Sequence, residues 1–277
     1  MVTSKSAAPR AAIKHAFVSH SSADAVVATS LQKAIKGDGV PCWLAPRDVI
    51  PGQEYGEAIV EALKRLLRRA TRCELYLGAG RDFDSFACVF IGTGVGSGIA
   101  IARNIIFGSN YCAGEIGHAK IASDGPMCNC GQTGCLETFV KAGAITDRAR
   151  AKAIEWKNRG EETMLSNQEN GNSPRSIVAA LESGDAAAQE VADEIGQKLG
   201  VGIANYLNIL NPGAVVLGGG IMSGFFMYMS DGVSRGIRGA ALSDVANTPI
   251  VHSQYSDNGA ALGAALLFNP GSPWPFS

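Results

Sequence analysis

The feature that most narrows what this chain can fold into lies between residues 114 and 137, GEIGHAKIASDGPMCNCGQTGCLE. His118 is followed by Cys128, Cys130 and Cys135, interleaved with Gly125, Gly131 and Gly134. One imidazole and three thiolates form a common tetrahedral donor set for structural zinc. The glycines let so short a loop wrap an ion, because they reach backbone angles that other residues resist. Free cysteine also serves as a small buried hydrophobe. That suits Cys42, Cys73, Cys88 and Cys112, each alone beside apolar or aromatic residues. It does not account for Cys-x-Cys-x4-Cys with a histidine ten residues upstream. Zinc held by His118, Cys128, Cys130 and Cys135 is therefore expected.

Two carboxylates flank this cluster. Glu115 lies three residues before His118, and Glu137 two after Cys135. Neither is needed to complete the donor set. They either accept hydrogen bonds from a polyol or sugar, or brace the metal ligands from outside.

The 277 residues suffice for one large or two modest domains, and an apolar content of 46% supports real cores. The 34 glycines point to α/β loops and to nucleotide- or sugar-binding turns. With a formal net charge of -1 and no basic block, no nucleic-acid partner is expected. No run approaches the roughly 18 apolar residues of a membrane span. MVTSKSAAPRAA has no signal-peptide core and reads as a short disordered leader, residues 1–12. Seven cysteines, an odd number, suit a reducing cytoplasm.

Near the N-terminus, Ala16–Ser19 reads as a strand entering a polar turn. Ala25–Lys36 reads as a helix stopped by Gly37 and Gly39, and Pro41–Leu44 as a second strand. A further helix is expected over Gln53–Ala70, with Arg65, Arg68, Arg69 and Arg72 on a solvated, dipole-compatible end. The stretches AFVSHSSAD and PCWLAPRDVIPGQEY resemble a bacterial-type TIR domain. Ser19, His20 and Asp24 match its first loop, and Trp43 and Arg47 its second. The resemblance implies a flavodoxin-like module that associates with other TIR domains or cleaves NAD. It covers only residues 13–72, and the segment bearing the family's catalytic glutamate is absent. A partial domain serving association, not an NAD hydrolase, is the expectation.

Further on, Phe86–Ile91 is a fully apolar strand running into GTGVGSG, with the apolar run resuming at Ile99. Two strands joined this way form a hairpin without the helix and lysine of a P-loop. The loop is either a tight glycine turn or a place where backbone N–H groups approach a phosphate. Asp185–Leu210 reads as a long helix in which Gly196, Gly200 and Gly202 admit another element closely. Ala214–Leu217 reads as a buried parallel strand ending in Gly218, Gly219 and Gly220, either a strand-to-helix turn or a nucleotide-proximal loop.

GAGR, IGTGVGSGI, AGEIGH, CNCGQTGCLE, NPGAVVLGGGI and GAALGAAL occur in this order and resemble the ROK family of sugar kinases and related repressors. The resemblance implies an actin-like, ribonuclease H-like ATPase lobe over residues 73–273, most similar to glucokinase and N-acetylmannosamine kinase types. By it, Glu115, His118 and Glu137 contact the hydroxyls of a hexose or N-acetylhexosamine. His118 also ligates zinc. Gly92, Thr93 and Gly94 approach the phosphates of ATP with its Mg2+, and Gly218, Gly219 and Gly220 approach the nucleotide. Two departures stand out. The sequence contains no Asp-x-Gly-Gly-Thr phosphate loop. Counted back from Gly78, Leu66 stands near the position of the family's catalytic aspartate. No catalytic residue is therefore assigned. The expected protein is a ROK-type sugar kinase homologue impaired in catalysis, or a noncatalytic zinc-containing sugar-binding protein that self-associates or associates through a TIR partner.

Overall fold

Parallel strands cannot be joined by a tight turn and need a crossover. The chain opens with such a pair. The computed structural model describes residues 16–18, 33, 42–44, 67–166, 173–255, 259 and 262. In it β1 (Ala16–Val18) pairs in parallel with β2 (Cys42–Leu44), Phe17 opposite Trp43. Lys33, between them, is helical. Both expected strands are present. Ser19, His20, Asp24 and Arg47 lie outside the described residues, as does most of the expected 53–70 helix. These strands belong to a compact unit of Met1–Arg65 with Leu267–Ser277, and Leu66–Leu266 form a second unit.

The second unit is built around β3 (Phe86–Ile91), whose six apolar residues leave no face for water, and the strand is buried throughout. It pairs antiparallel with β4 (Val95–Ile101), which pairs antiparallel with β5 (Asn104–Ile105). On its other side β3 pairs in parallel with β6 (Ala214–Gly218), and β6 with β7 (Ile250–His252). The sheet order is β5-β4-β3-β6-β7. The expected hairpin and buried parallel strand are both there.

The described part of helix α1, residues 67–76, lies against β4. It runs past Ala70, where the helix was expected to stop. Gly96 and Gly98 belong to β4 rather than to a loop, and the reason is packing. A Cβ on Gly96 would come 2.2 Å from Leu67, and one on Gly98 would come 2.0 Å from Thr71 Oγ1. Hydrogen atoms in place of side chains let the helix sit directly on the strand. Burial continues around α1 from Ala70 to Leu75. Arg72 is thus only 6% exposed, not on a solvated face. Cys73 and Cys88 are buried as expected, but Cys112 is exposed.

Further helices are α2 (Glu137–Val140), α3 (Ala142–Asn158), α4 (Pro174–Glu182), α5 (Ala186–Leu210) and α6 (Met222–Ala240), and Gly259 and Leu262 are helical as well. Asp185 caps α5 by accepting from Ala188 N–H, and Asn211 closes it in the left-handed conformation. The glycines in α5 meet glycines in α6. A Cβ on Gly200 would come 2.2 Å from Val233 O, and one on Gly236 2.2 Å from Gln197 O. The two backbones are in contact there, as the small residues in this helix led us to expect. Against α3 the same helix uses charge. Lys152, 5% exposed, reaches Glu190 at 2.9 Å and Glu194 at 2.7 Å. None of the described helices is long and apolar enough to cross a membrane.

Candidate functional site

Folding brings the four expected metal ligands together. Their donor atoms all lie within 4.8 Å of one another. Cys128 Sγ is 3.5 Å from His118 Nδ1, and Cys130 Sγ is 3.7 Å from Cys135 Sγ. With Zn–S bonds of about 2.3 Å, a tetrahedron has sulfur–sulfur edges of ~3.8 Å. The donor types and their spacing therefore fit a tetrahedral ion. The backbone holds this geometry independently of the side chains. Ile121 N–H donates to Gly134 O and Leu136 N–H to Ala119 O, each at 2.9 Å. Cys128 N–H closes on Gln132 O at 2.8 Å. Gly134 has φ +74°, and a Cβ there would come 2.1 Å from Ala122 O, so no other residue fits this crossing. Burial pushes the Cys135 thiol up to about 12, whereas a backbone hydrogen bond from Gln132 lowers that of Cys130.

The segment before the cluster is held from behind. Gly114 O accepts from Ile116 N–H at 2.8 Å and from Tyr206 OH, on α5, at 2.8 Å. Ser97 Oγ, on β4, also donates to it. Glu115 follows, and residues Ile116–His118 form a single 3₁₀ turn seated on β4. Gly117 is required there, since a Cβ would come 2.4 Å from Val95 O.

On the far side of the cluster, Glu137 starts α2 and points to the tip of the β3–β4 hairpin. Its Oε2 accepts from Val95 N–H at 2.9 Å. The hairpin tip contains Gly92, Thr93 and Gly94. Gly92 N–H is already closed on Gly94 O at 2.9 Å, and Gly92 O accepts from Ala142 N–H at 2.9 Å. The second glycine run sits beside the first, because Gly218 pairs with Phe90 across the β3–β6 ladder. Gly219, at φ +91°, lies on the end of β3, and Ile221 N–H donates to Ile91 O at 3.1 Å. Both runs thus emerge at the carboxyl ends of adjacent parallel strands, where open α/β sheets place their ligands. Glu115 opens the turn that carries His118, one of the four clustered donors, Glu137 reaches the hairpin tip, and the two glycine runs share one sheet end.

Some residues here carried no signal in the reading above. Glu74, on α1, is 0% exposed. It accepts from Ala79 N–H at 2.8 Å and from Ser253 Oγ at 2.5 Å, tying the GAGR turn to the end of β7. Ser97 and Tyr206 were likewise unmarked. A buried carboxylate or hydroxyl with distant partners leaves no local pattern in a sequence.

The chain is 39% identical over 150 residues to a glucokinase of Halalkalibacterium halodurans, covering 53% of this chain and 45% of that one. It is 31% identical over 202 residues to the DNA-binding transcriptional dual regulator NagC of Escherichia coli, covering 73% of this chain and 48% of that one. It therefore spans about half the length of these relatives. The crystal structure of a ROK family glucokinase from Streptomyces griseus in complex with glucose and AMPPNP superposes with a TM-score of 0.67. That match covers 85% of this chain and 70% of the other at 23% identity, and so speaks for the fold. The mixed sheet order, the paired glycine runs and the Cys/His cluster agree with a match to the ROK family over residues 57–270, and the chain belongs to that family.

Proposed function

We propose that this chain is a sugar-binding ROK protein whose ligand, a hexose or N-acetylhexosamine, is held by Glu115, His118 and Glu137. The observation that carries this reading is the Glu137–Val95 hydrogen bond. It fastens the metal cluster to the glycine hairpin, so that groups able to bind hydroxyls adjoin groups able to bind phosphate. Glu115 and Glu137 are acceptors suited to sugar hydroxyls. His118 presents Nδ1 to Cys128, which leaves Nε2 for a hydroxyl. Zinc bound by His118, Cys128, Cys130 and Cys135 would supply folding energy and rigidity, not chemistry. ATP with Mg2+ would lie against Gly92, Thr93 and Gly94 and against Gly218–Gly220, with the open space beside Gly92 and Gly220 admitting it.

Phosphate transfer by this chain alone is impaired in this reading. A positioned general base contributes about 10²–10⁴-fold to a rate, and Leu66, near the family's aspartate position, cannot accept a proton. The TIR-like unit expected over residues 13–72 is cut back at its end, because the family match begins at residue 57 and α1 packs on β4; the residues before 57 are read as an association unit, on the parallel β1–β2 pair. No nucleic-acid contact is proposed for the described residues, although one relative, NagC, is a DNA-binding regulator.

Calorimetry with glucose, fructose, mannose and N-acetylmannosamine tests it, alongside sugar-dependent ADP release with ATP and magnesium. Saturable sugar binding with little or no turnover is the expected result. Zinc-loaded, folded protein that binds none of these sugars would overturn it. Cys130→Ser is expected to lower both zinc stoichiometry and Tm, because a structural ion contributes directly to folding. Unchanged metal content by atomic absorption would refute the structural metal site.

A further inference from the structure

The Gly114 carbonyl is engaged by more donors than any ordinary turn requires. Ile116 N–H donates to it at 2.8 Å, across Glu115, whose φ of −75° and ψ of 56° are those of an inverse γ-turn. Glu115 therefore sits at the centre of a three-residue turn closed by this carbonyl. Two hydroxyls from other elements reach the same oxygen. Tyr206 OH lies 2.8 Å away, and Ser97 Oγ also donates to it. The two hydroxyls are themselves 2.6 Å apart. Ser97 is 6% and Tyr206 8% exposed, so little water reaches the group. Gly114 has φ +90°, and a Cβ there would come 3.3 Å from Ser97 O, which keeps the turn flat against β4.

We propose that Ser97 and Tyr206 are positioning residues that set the orientation of Glu115 toward its ligand, by anchoring the carbonyl that closes the turn around it. The inference rests on the reading that Glu115 contacts sugar hydroxyls. Proton accounting makes it specific. Each hydroxyl carries one proton, so two protons serve three oxygen–oxygen contacts. If either hydroxyl is removed, the other can still donate to Gly114 O. Only removal of both leaves the carbonyl with its local N–H alone, in a buried place where a missing partner is costly. Burial pushes the Tyr206 phenol up to about 12, with the nearby Glu115 charge adding to the rise, so the hydroxyl keeps its proton at neutral pH.

The test uses Ser97→Ala, Tyr206→Phe, the double variant, and each combined with Glu115→Gln, in the full zinc-loaded chain. Affinity for the tightest-binding sugar of the panel above is read by calorimetry. Each single variant is expected to weaken binding by no more than about fivefold, the worth of one neutral hydrogen bond. The double variant should weaken it by more than the product of the two. In the Glu115→Gln background the same changes should have almost no effect, while zinc content stays constant. A double variant within twofold of the unaltered protein, or effects that persist undiminished in the Glu115→Gln background, would overturn the proposal. Amide hydrogen exchange in the ligand-free chain separates this from failure of the sugar reading. Ile116 and His118 should exchange about tenfold faster in the double variant, with α5 amides unchanged. Equal exchange at Ile116 and His118 would overturn the positioning role whether or not any sugar binds.

Discussion

Segment 92–98 carries four glycines and segment 218–220 three, and both lie at the same end of the sheet. Their glycines do different work. A Cβ on Gly92 or on Gly220 would meet nothing within 4 Å. A Cβ on Gly94 would come 2.8 Å from the Glu137 carboxylate. Gly96 and Gly98 are strand residues pressed beneath α1, and Gly219 holds a left-handed φ over the backbone of Ile91. Two glycines therefore border open space, and at the others the missing side chain makes room for the protein itself, whatever their backbone also meets. A glycine-rich string is a weak guide to phosphate binding because both needs produce it.

Substitution by alanine sharpens that division. The largest effect is expected at Gly219, where the new Cβ would lie 2.4 Å from Ile91 O and φ is +91°. Left-handed strain of about 1–2 kcal/mol adds to overpacking of about 1–3 kcal/mol, so Gly219→Ala should cost several kcal/mol in urea unfolding. A Gly219→Ala protein as stable as the parent would break the comparison. Next comes Gly98→Ala, whose Cβ meets Thr71 Oγ1, a buried hydroxyl donating to Leu67 O at 2.9 Å. We expect a loss of about 2 kcal/mol. Gly96→Ala should cost about 1 kcal/mol or less, because the Leu67 side-chain tip it meets is flexible and half-buried. If Gly96 proved costlier than Gly98 in matched denaturation curves, the packing argument would be wrong.

At Gly92 and Gly220 alanine should change stability by less than about 0.5 kcal/mol, as at an unencumbered surface position. Nucleotide affinity should fall at these two positions, read by fluorescence of an ATP analogue; unchanged affinity at both would remove them from the nucleotide site. The smallest stability effect is expected for Glu137→Gln. Its amide oxygen can still accept from Val95 N–H, so metal content and Tm should hold while sugar affinity drops. Equal sugar affinity in a calorimetric titration would return Glu137 to a purely structural role.

Much of the site could be read before folding was considered. The candidate metal ligands fall within eighteen residues, and tetrahedral zinc would place strong demands on residue type and spacing. The short apolar run at Phe86–Ile91 was legible as a buried strand, and the glycines of α5 announced a close neighbour. What escaped notice were polar groups whose partners are remote. Glu74 meets Ser253 across 179 positions, and Tyr206 meets Gly114 across 92. The arginine-rich end of α1 looked like a solvated face because charge usually is one. Arg72 is buried there all the same, since both flanks of the helix are covered at that level.

By itself, the sequence determined the donor set, the central strand and the positions of the glycine turns. Each depends on local chemistry: ligand preference, the absence of a polar face, or backbone freedom. Tertiary structure alone decided which glycines face open space, which carboxylate joins the metal loop to the hairpin, and which hydroxyls hold Glu115. Those outcomes depend on which elements become neighbours, and a buried hydrogen bond acquires its partner only when the chain has closed around it.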